Sequence, residues 1–175
     1  MITVILEVLG IAALFFVDQG IKAWATAALA PLGAMPLLPG IVQLRYVLNQ
    51  GMAFSLLSGK QAFLILVTGA ALLALAYYLF AKCRGQLLKQ ITLVLILSGG
   101  LGNLVDRVLN GQVVDYIELQ FVNFAVFNFA DICVCVGMAL LILCIFLEEN
   151  DEHKKAAAQD PAQKPQGGPD DPADR

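Results

Sequence analysis

The sequence predicts an all-α membrane protein: four transmembrane helices with a small extracytoplasmic β-segment. Three observations predict it. Of 175 residues, 59% are hydrophobic, and the mean hydropathy is +0.76; a soluble domain is about half apolar. Only 14% are charged, against roughly 25% in a soluble domain. Four apolar stretches, near 4–27, 61–80, 90–109 and 128–147, are long enough to cross about 30 Å of hydrocarbon.

The first stretch has no basic segment before it and no small-residue cleavage site followed by a soluble domain. It reads as a retained helix, not a secretory signal. The connection 28–60 contains Pro31, Pro36, Pro39, Gly33, Gly40, Gly51 and Gly59. Within it, Ile41 to Val47 is β-branched and aromatic enough for a short strand. The connection 110–127 is also strand-like, at Val113-Val114, Tyr116-Ile117 and Phe121-Val122. Residues 148–175 hold eight of the fourteen acids, and are rich in Ala, Gln, Pro and Gly. They are expected to form a disordered cytoplasmic tail outside a membrane unit of residues 1–147. Without that tail the chain is near neutral, so its charge points to no nucleic-acid partner.

The loop between the second and third spans carries Lys82, Arg84 and Lys89 and no acid. The positive-inside rule makes it cytoplasmic, with both termini on the same side and 28–60 and 110–127 outside. Charges within spans are costly and mark function. Asp18 and Lys22 then lie in the outer half of span one. Asn103, Asp106 and Arg107 lie at the outer end of span three, and Asp131 in the first turn of span four. Asp115 follows span three. Four distant pieces of sequence therefore bring polar groups to one depth. Asp18 and Lys22 are i,i+4 neighbours and can pair, and Asn103 shares a face with Asp106 and Arg107. Gly99, Gly100 and Gly102 allow close helix approach. All of these groups could instead serve only to hydrogen-bond the helices together.

Two close carboxylates can hydrolyse an amide without a metal or a covalent nucleophile. Repulsion and low dielectric let one stay protonated while the other takes a proton from water. The short connection between spans three and four permits Asp115 and Asp131 to meet. No histidine occurs before His153, which excludes Ser/His and Cys/His triads in the membrane unit. A Ser–Lys dyad drawn from Ser55, Ser58 or Ser98 with Lys22 or Lys60 has no local motif behind it. Cys83, Cys133, Cys135 and Cys144 contain no C-x-x-C pair; they read as small apolar fillers, and no metal or other cofactor is expected. An ion pathway and a non-enzymatic assembly protein are the rival function classes. The clustering of polar groups at one surface speaks against the first.

Four sequence blocks carry a family resemblance. They are Asp18-Gln19-Gly20-Ile21-Lys22, Asn49-Gln50-Gly51-Met52-Ala53-Phe54-Ser55, Gly99 to Arg107 with Gly111-Gln112-Val113-Val114-Asp115, and Phe127-Asn128-Phe129-Ala130-Asp131. In this order the chain resembles lipoprotein signal peptidase, or signal peptidase II. Met52 and Leu48 are minor departures from the pattern. The resemblance implies an aspartic endopeptidase of the bacterial inner membrane, cutting diacylglyceryl-modified prolipoproteins just before the lipidated cysteine. By carry-over Asp115 and Asp131 are catalytic. Asn49, Gly51, Gly99, Asn103, Arg107, Asn128 and Ala130 line or brace the site, and Asp18 and Lys22 support it. The resemblance also implies contact with membrane lipid, inhibition by the cyclic peptide globomycin and an outer sheet on the membrane surface; a monomer is expected.

Overall fold

The computed structural model describes residues 2–51 and 59–159, with side chains as far as 150. Met52, Ala53, Phe54, Ser55 and Ser58 lie outside the described residues. So does the tail from 160 onward.

Each apolar stretch is a helix with no internal proline: α1 (Ile2–Ala28), α2 (Gln61–Lys82), α3 (Leu87–Asn110) and α4 (Phe129–Gln159). All four are long and apolar enough to cross a membrane. Helix α3 packs against α1, α2 and α4, so it is the hub of the bundle. It ends at Gly111, whose φ of 70° turns the chain left-handed and lets its N–H reach the Arg107 carbonyl at 3.1 Å. Only glycine takes that turn without strain.

The helices approach closely where glycines allow it. A side chain at Gly99 would strike the Ala130 carbonyl, and one at Gly102 would strike the Asp18 carboxylate. Leu72, Leu79, Leu93 and Leu97 fill the space between α2 and α3. Outward-facing Leu66 and Leu73 are 71% and 75% exposed, which fits a surface bathed in hydrocarbon and not in water.

Three antiparallel strands, β1 (Ala34–Leu38), β2 (Val42–Asn49) and β3 (Val113–Leu119), form a sheet in the order β1-β2-β3. Its inner side closes over the end of α1, where Ala25, Leu29 and Tyr116 are buried with Met35, Leu44 and Phe129 around them. On the outer side Gln43 and Arg45 donate to Glu118, tying β2 to β3.

The sequence reading needs four corrections. The strand expected over 41–47 is β2, and it extends to Asn49. β1 was not expected, because Pro36 weakens its strand signal; proline is tolerated there because β1 is an edge strand. Phe121 and Val122 fall outside β3. Helix α4 continues to Gln159, where disorder was expected from 148; Glu, Lys and three alanines favour helix there, and no proline intervenes before Pro161.

Gly102→Val should destabilise the protein by about 1–3 kcal/mol, because the new methyls meet a buried carboxylate. Gly69→Val, on a helix face with nothing within 4 Å, should not. Thermal unfolding in detergent compares them.

Candidate active site

The Phe127-Asn128-Phe129-Ala130-Asp131 segment builds its own helix start. Asn128 caps α4: the Asp131 backbone N–H donates to Asn128 Oδ1 at 3.0 Å, and the Asn128 N–H donates to Asp131 Oδ2 at 3.1 Å. This reciprocal capping box satisfies two backbone donors and fixes the Asp131 rotamer. Asp131 Oδ1 accepts a second bond, 2.8 Å, from Asn103 Nδ2 on α3.

Asp115 arrives from the sheet. It pairs with Val47 across the β2–β3 ladder. Asn49, at the end of β2, donates to Asp115 Oδ2 at 2.9 Å. Asn128 Nδ2 donates to Asp115 Oδ1 at 2.6 Å and to Asn103 Oδ1 at 3.1 Å. Asn128 is fully buried and so joins both aspartates to one network. Asp115 is 2% exposed. Burial pushes its carboxyl up to about 6, and the neighbouring Asp131 charge adds to that rise; hydrogen bonds from Asn49 and Asn128 oppose it.

Both aspartates line a cavity of about 350 Å³ with Asn49, Asn103 and Arg107 on its polar side. Phe124, Phe127, Ile132 and Val136 supply apolar lining to the same cavity. Arg107 reaches the edge of the cavity, donating to the Gly51 carbonyl at 2.7 Å and to the Asn103 carbonyl at 3.3 Å. Gly51 in turn is held by Asn49 Oδ1 through its own N–H at 2.8 Å.

Behind Asn103 lies a second layer. Lys22 pairs with Asp18 at 2.9 Å and Asp106 at 2.7 Å, with all three side chains buried. Asp18 Oδ1 also accepts the Ala130 N–H at 3.0 Å, which locks α1 to the start of α4. Gln19 donates to Asp106 at 3.2 Å.

The structure thus brings Asn49, Asn103, Arg107, Asn128, Asp115 and Asp131 to one site. Gly51 joins it through its carbonyl. Asp18, Lys22, Gly99 and Ala130 support it from behind without lining the cavity. The sequence reading placed Asp106 among the converging polar groups without a specific role, and it gave none to Gln19, although both lie within the quoted motifs. Nor did it assign Tyr116, whose hydroxyl accepts the Phe129 N–H at 3.1 Å. Cys135, read only as a small apolar filler, is exposed and lines the cavity; its i+4 spacing from Asp131 was the available signal. Nothing in the sequence pointed to Phe124. Among the described residues, no group of three His, Cys, Asp or Glu side chains could hold a metal ion.

Asn128→Ala removes the helix cap and both amide donors at once. It should cost about 2–4 kcal/mol of stability. The loss can be read from thermal unfolding, with Asn123→Ala on the exposed connection as the neutral comparison.

Residues 10–147 match the family model described as signal peptidase (SPase) II. The chain is 40% identical over 143 residues to the lipoprotein signal peptidase of Streptococcus thermophilus (strain CNRZ 1066), covering 82% of this chain and 94% of that protein. It is 41% identical over 145 residues to the lipoprotein signal peptidase of Streptococcus pyogenes serotype M5 (strain Manfredo), covering 83% and 95%. Two solved structures, both reported as bacterial membrane enzymes by the in meso method, are similar in fold. One has a TM-score of 0.75 and 27% identity, covering 93% of this chain and 94% of its own. The other has a TM-score of 0.73 and 30% identity, covering 79% and 91%. With its four apolar helices, its small sheet and a family match over most of its length, the chain belongs to the signal peptidase II family of lipoprotein signal peptidases.

Proposed function

We propose that Asp115 and Asp131 are the catalytic pair of this signal peptidase. The observation that carries the proposal is their placement. They come from a strand and a helix start, line one cavity, and have both carboxylate oxygens held by amide donors. Among the described residues neither forms a salt bridge.

In the proposed reaction one aspartate is ionised and the other protonated. The ionised one takes a proton from water as the water oxygen attacks the scissile carbonyl. The protonated one donates to the carbonyl oxygen, giving a neutral tetrahedral diol. Collapse breaks the C–N bond, and the proton taken from water passes to the leaving amine. As the C=O re-forms in that collapse, one hydroxyl returns the other proton to its donor, which restores the pair and leaves a carboxylic acid product. The raised Asp115 carboxyl keeps a proton available there below about pH 6.

The substrate on this reading is a diacylglyceryl-modified prolipoprotein, cut just before its lipidated cysteine. The apolar wall of Phe124, Ile132 and Val136 suits acyl chains, and the polar wall suits a peptide bond. Lys82, Arg84 and Lys89 lie at the far end of the bundle, which supports cytoplasmic termini and a site near the outer leaflet of the inner membrane. The substrate is itself membrane-embedded and can arrive laterally. Residues 1–147 form the peptidase unit, acting as a monomer, and globomycin would compete for the same cavity.

Purified wild type should cleave a diacylglyceryl-modified prolipoprotein in detergent. Asp115→Asn and Asp131→Asn should stay folded and lose activity by at least about 10²–10⁴-fold. Near-wild-type cleavage by either variant would remove that aspartate from the pair.

A further inference from the structure

Lys22 does more than neutralise two carboxylates. Its third contact is Asn103 Oδ1, at 2.9 Å. An ammonium has three donors and no acceptor; here it lies against the Asp18 and Asp106 carboxylates as ion pairs and donates a hydrogen bond to Asn103 Oδ1. On the other side of Asn103, the amide Nδ2 donates to Asp131 Oδ1 at 2.8 Å. Lys22 can only donate and an ionised Asp131 can only accept, so the amide between them can stand one way. Its oxygen faces the ammonium and its N–H faces the aspartate. We propose that Lys22 is a positioning residue for the reaction: through the Asn103 amide, it keeps an N–H donor on Asp131.

The surroundings make this contact consequential. Among the described residues, Asn103 supplies the only side-chain donor to Asp131; the other bond comes from the Asn128 backbone. Two donors, Lys22 and Asn128, converge on Asn103 Oδ1. Donors at the oxygen polarise the amide and strengthen its N–H as a donor. Without Lys22, Asn103 loses the charged partner that sets its orientation. The flipped amide would put its oxygen against an Asp131 oxygen, two acceptors face to face. Lys22 itself does not line the cavity; beside its contact with Asn103, its charge also works through space to lower the Asp115 carboxyl.

The proposal rests on Asp131 being catalytic, and it has a purely structural rival: that Lys22 serves only to balance buried charge. Lys22→Met/Asp106→Asn separates them. Asp18, Asp106 and Lys22 carry one formal negative charge in total, and the double variant carries the same through Asp18 alone. It keeps the charge balance and removes the donor to Asn103. Asn103→Asp tests the contact from the other side, because it keeps a partner for Lys22 but turns an acceptor toward Asp131.

Cleavage of a diacylglyceryl-modified prolipoprotein should show kcat reduced about 10- to 100-fold in both variants, with KM within about twofold. The double variant should unfold at a higher temperature than Lys22→Met. Wild-type kcat in the folded double variant, or in Asn103→Asp, would overturn the positioning role; if the double variant does not fold, Asn103→Asp decides. Asp131→Asn is assayed alongside. If it is active, the catalytic pair itself is wrong; if it is inactive while the other variants are active, only the role of Lys22 is wrong.

Discussion

Lys22 carries a positive charge into a part of the bundle that water scarcely reaches, and three helices are arranged around satisfying it. Its partners come from α1 and α3, and Asp18 passes the constraint on to α4 through the Ala130 N–H. In hydrocarbon, polar groups must find partners inside the protein. Removing one member of such a buried pair costs about 3–5 kcal/mol, because the survivor is left unpaired. Gly102 matters for the same reason, since only a residue without a side chain leaves room for the Asp18 carboxylate.

That cluster sets the position of the α4 start, and the α4 start sets the site. Asn128 is at once a helix cap and a bridge. Its side-chain oxygen closes the capping box with Asp131, and its amide nitrogen spans to Asp115 and Asn103. The sheet completes the arrangement by holding Asp115 and Asn49 on adjacent strands. A rigid helix start and a strand together give the two carboxylates fixed positions, while the apolar lining of the cavity keeps the local dielectric low. The raised Asp115 carboxyl is the electrostatic consequence.

Much of this was legible in the sequence because it is local. Hydropathy located all four helices to within a few residues, apart from the longer C-terminal end of α4. The i,i+4 spacing of Asp18 and Lys22 foretold a contact that the structure contains. The contacts between distant segments were not legible. Asn49 and Asp115 are 66 residues apart, and Asp18 and Ala130 are 112 apart; only packing brings them together. β1 was missed because a proline obscured it, and the cavity-lining position of Cys135 was not legible because a cysteine in an apolar helix resembles any other small filler. The motif resemblance named residues that the structure brings close together, but it did not reveal that Lys22 reaches Asp131 through an amide.

The central claim is that Asp115 and Asp131 feel each other as one acid–base unit. Infrared titration of ¹³C-aspartate-labelled protein, taken as the difference between each protein and its counterpart carrying Asp115→Asn, isolates the Asp115 carboxyl. The account predicts titration near pH 6 in the wild type. In Asp131→Asn the loss of the neighbouring negative charge should move it to lower pH. A titration that stays in place when Asp131 is neutralised would contradict the account, because two carboxylates that do not sense each other cannot share the work of one proton.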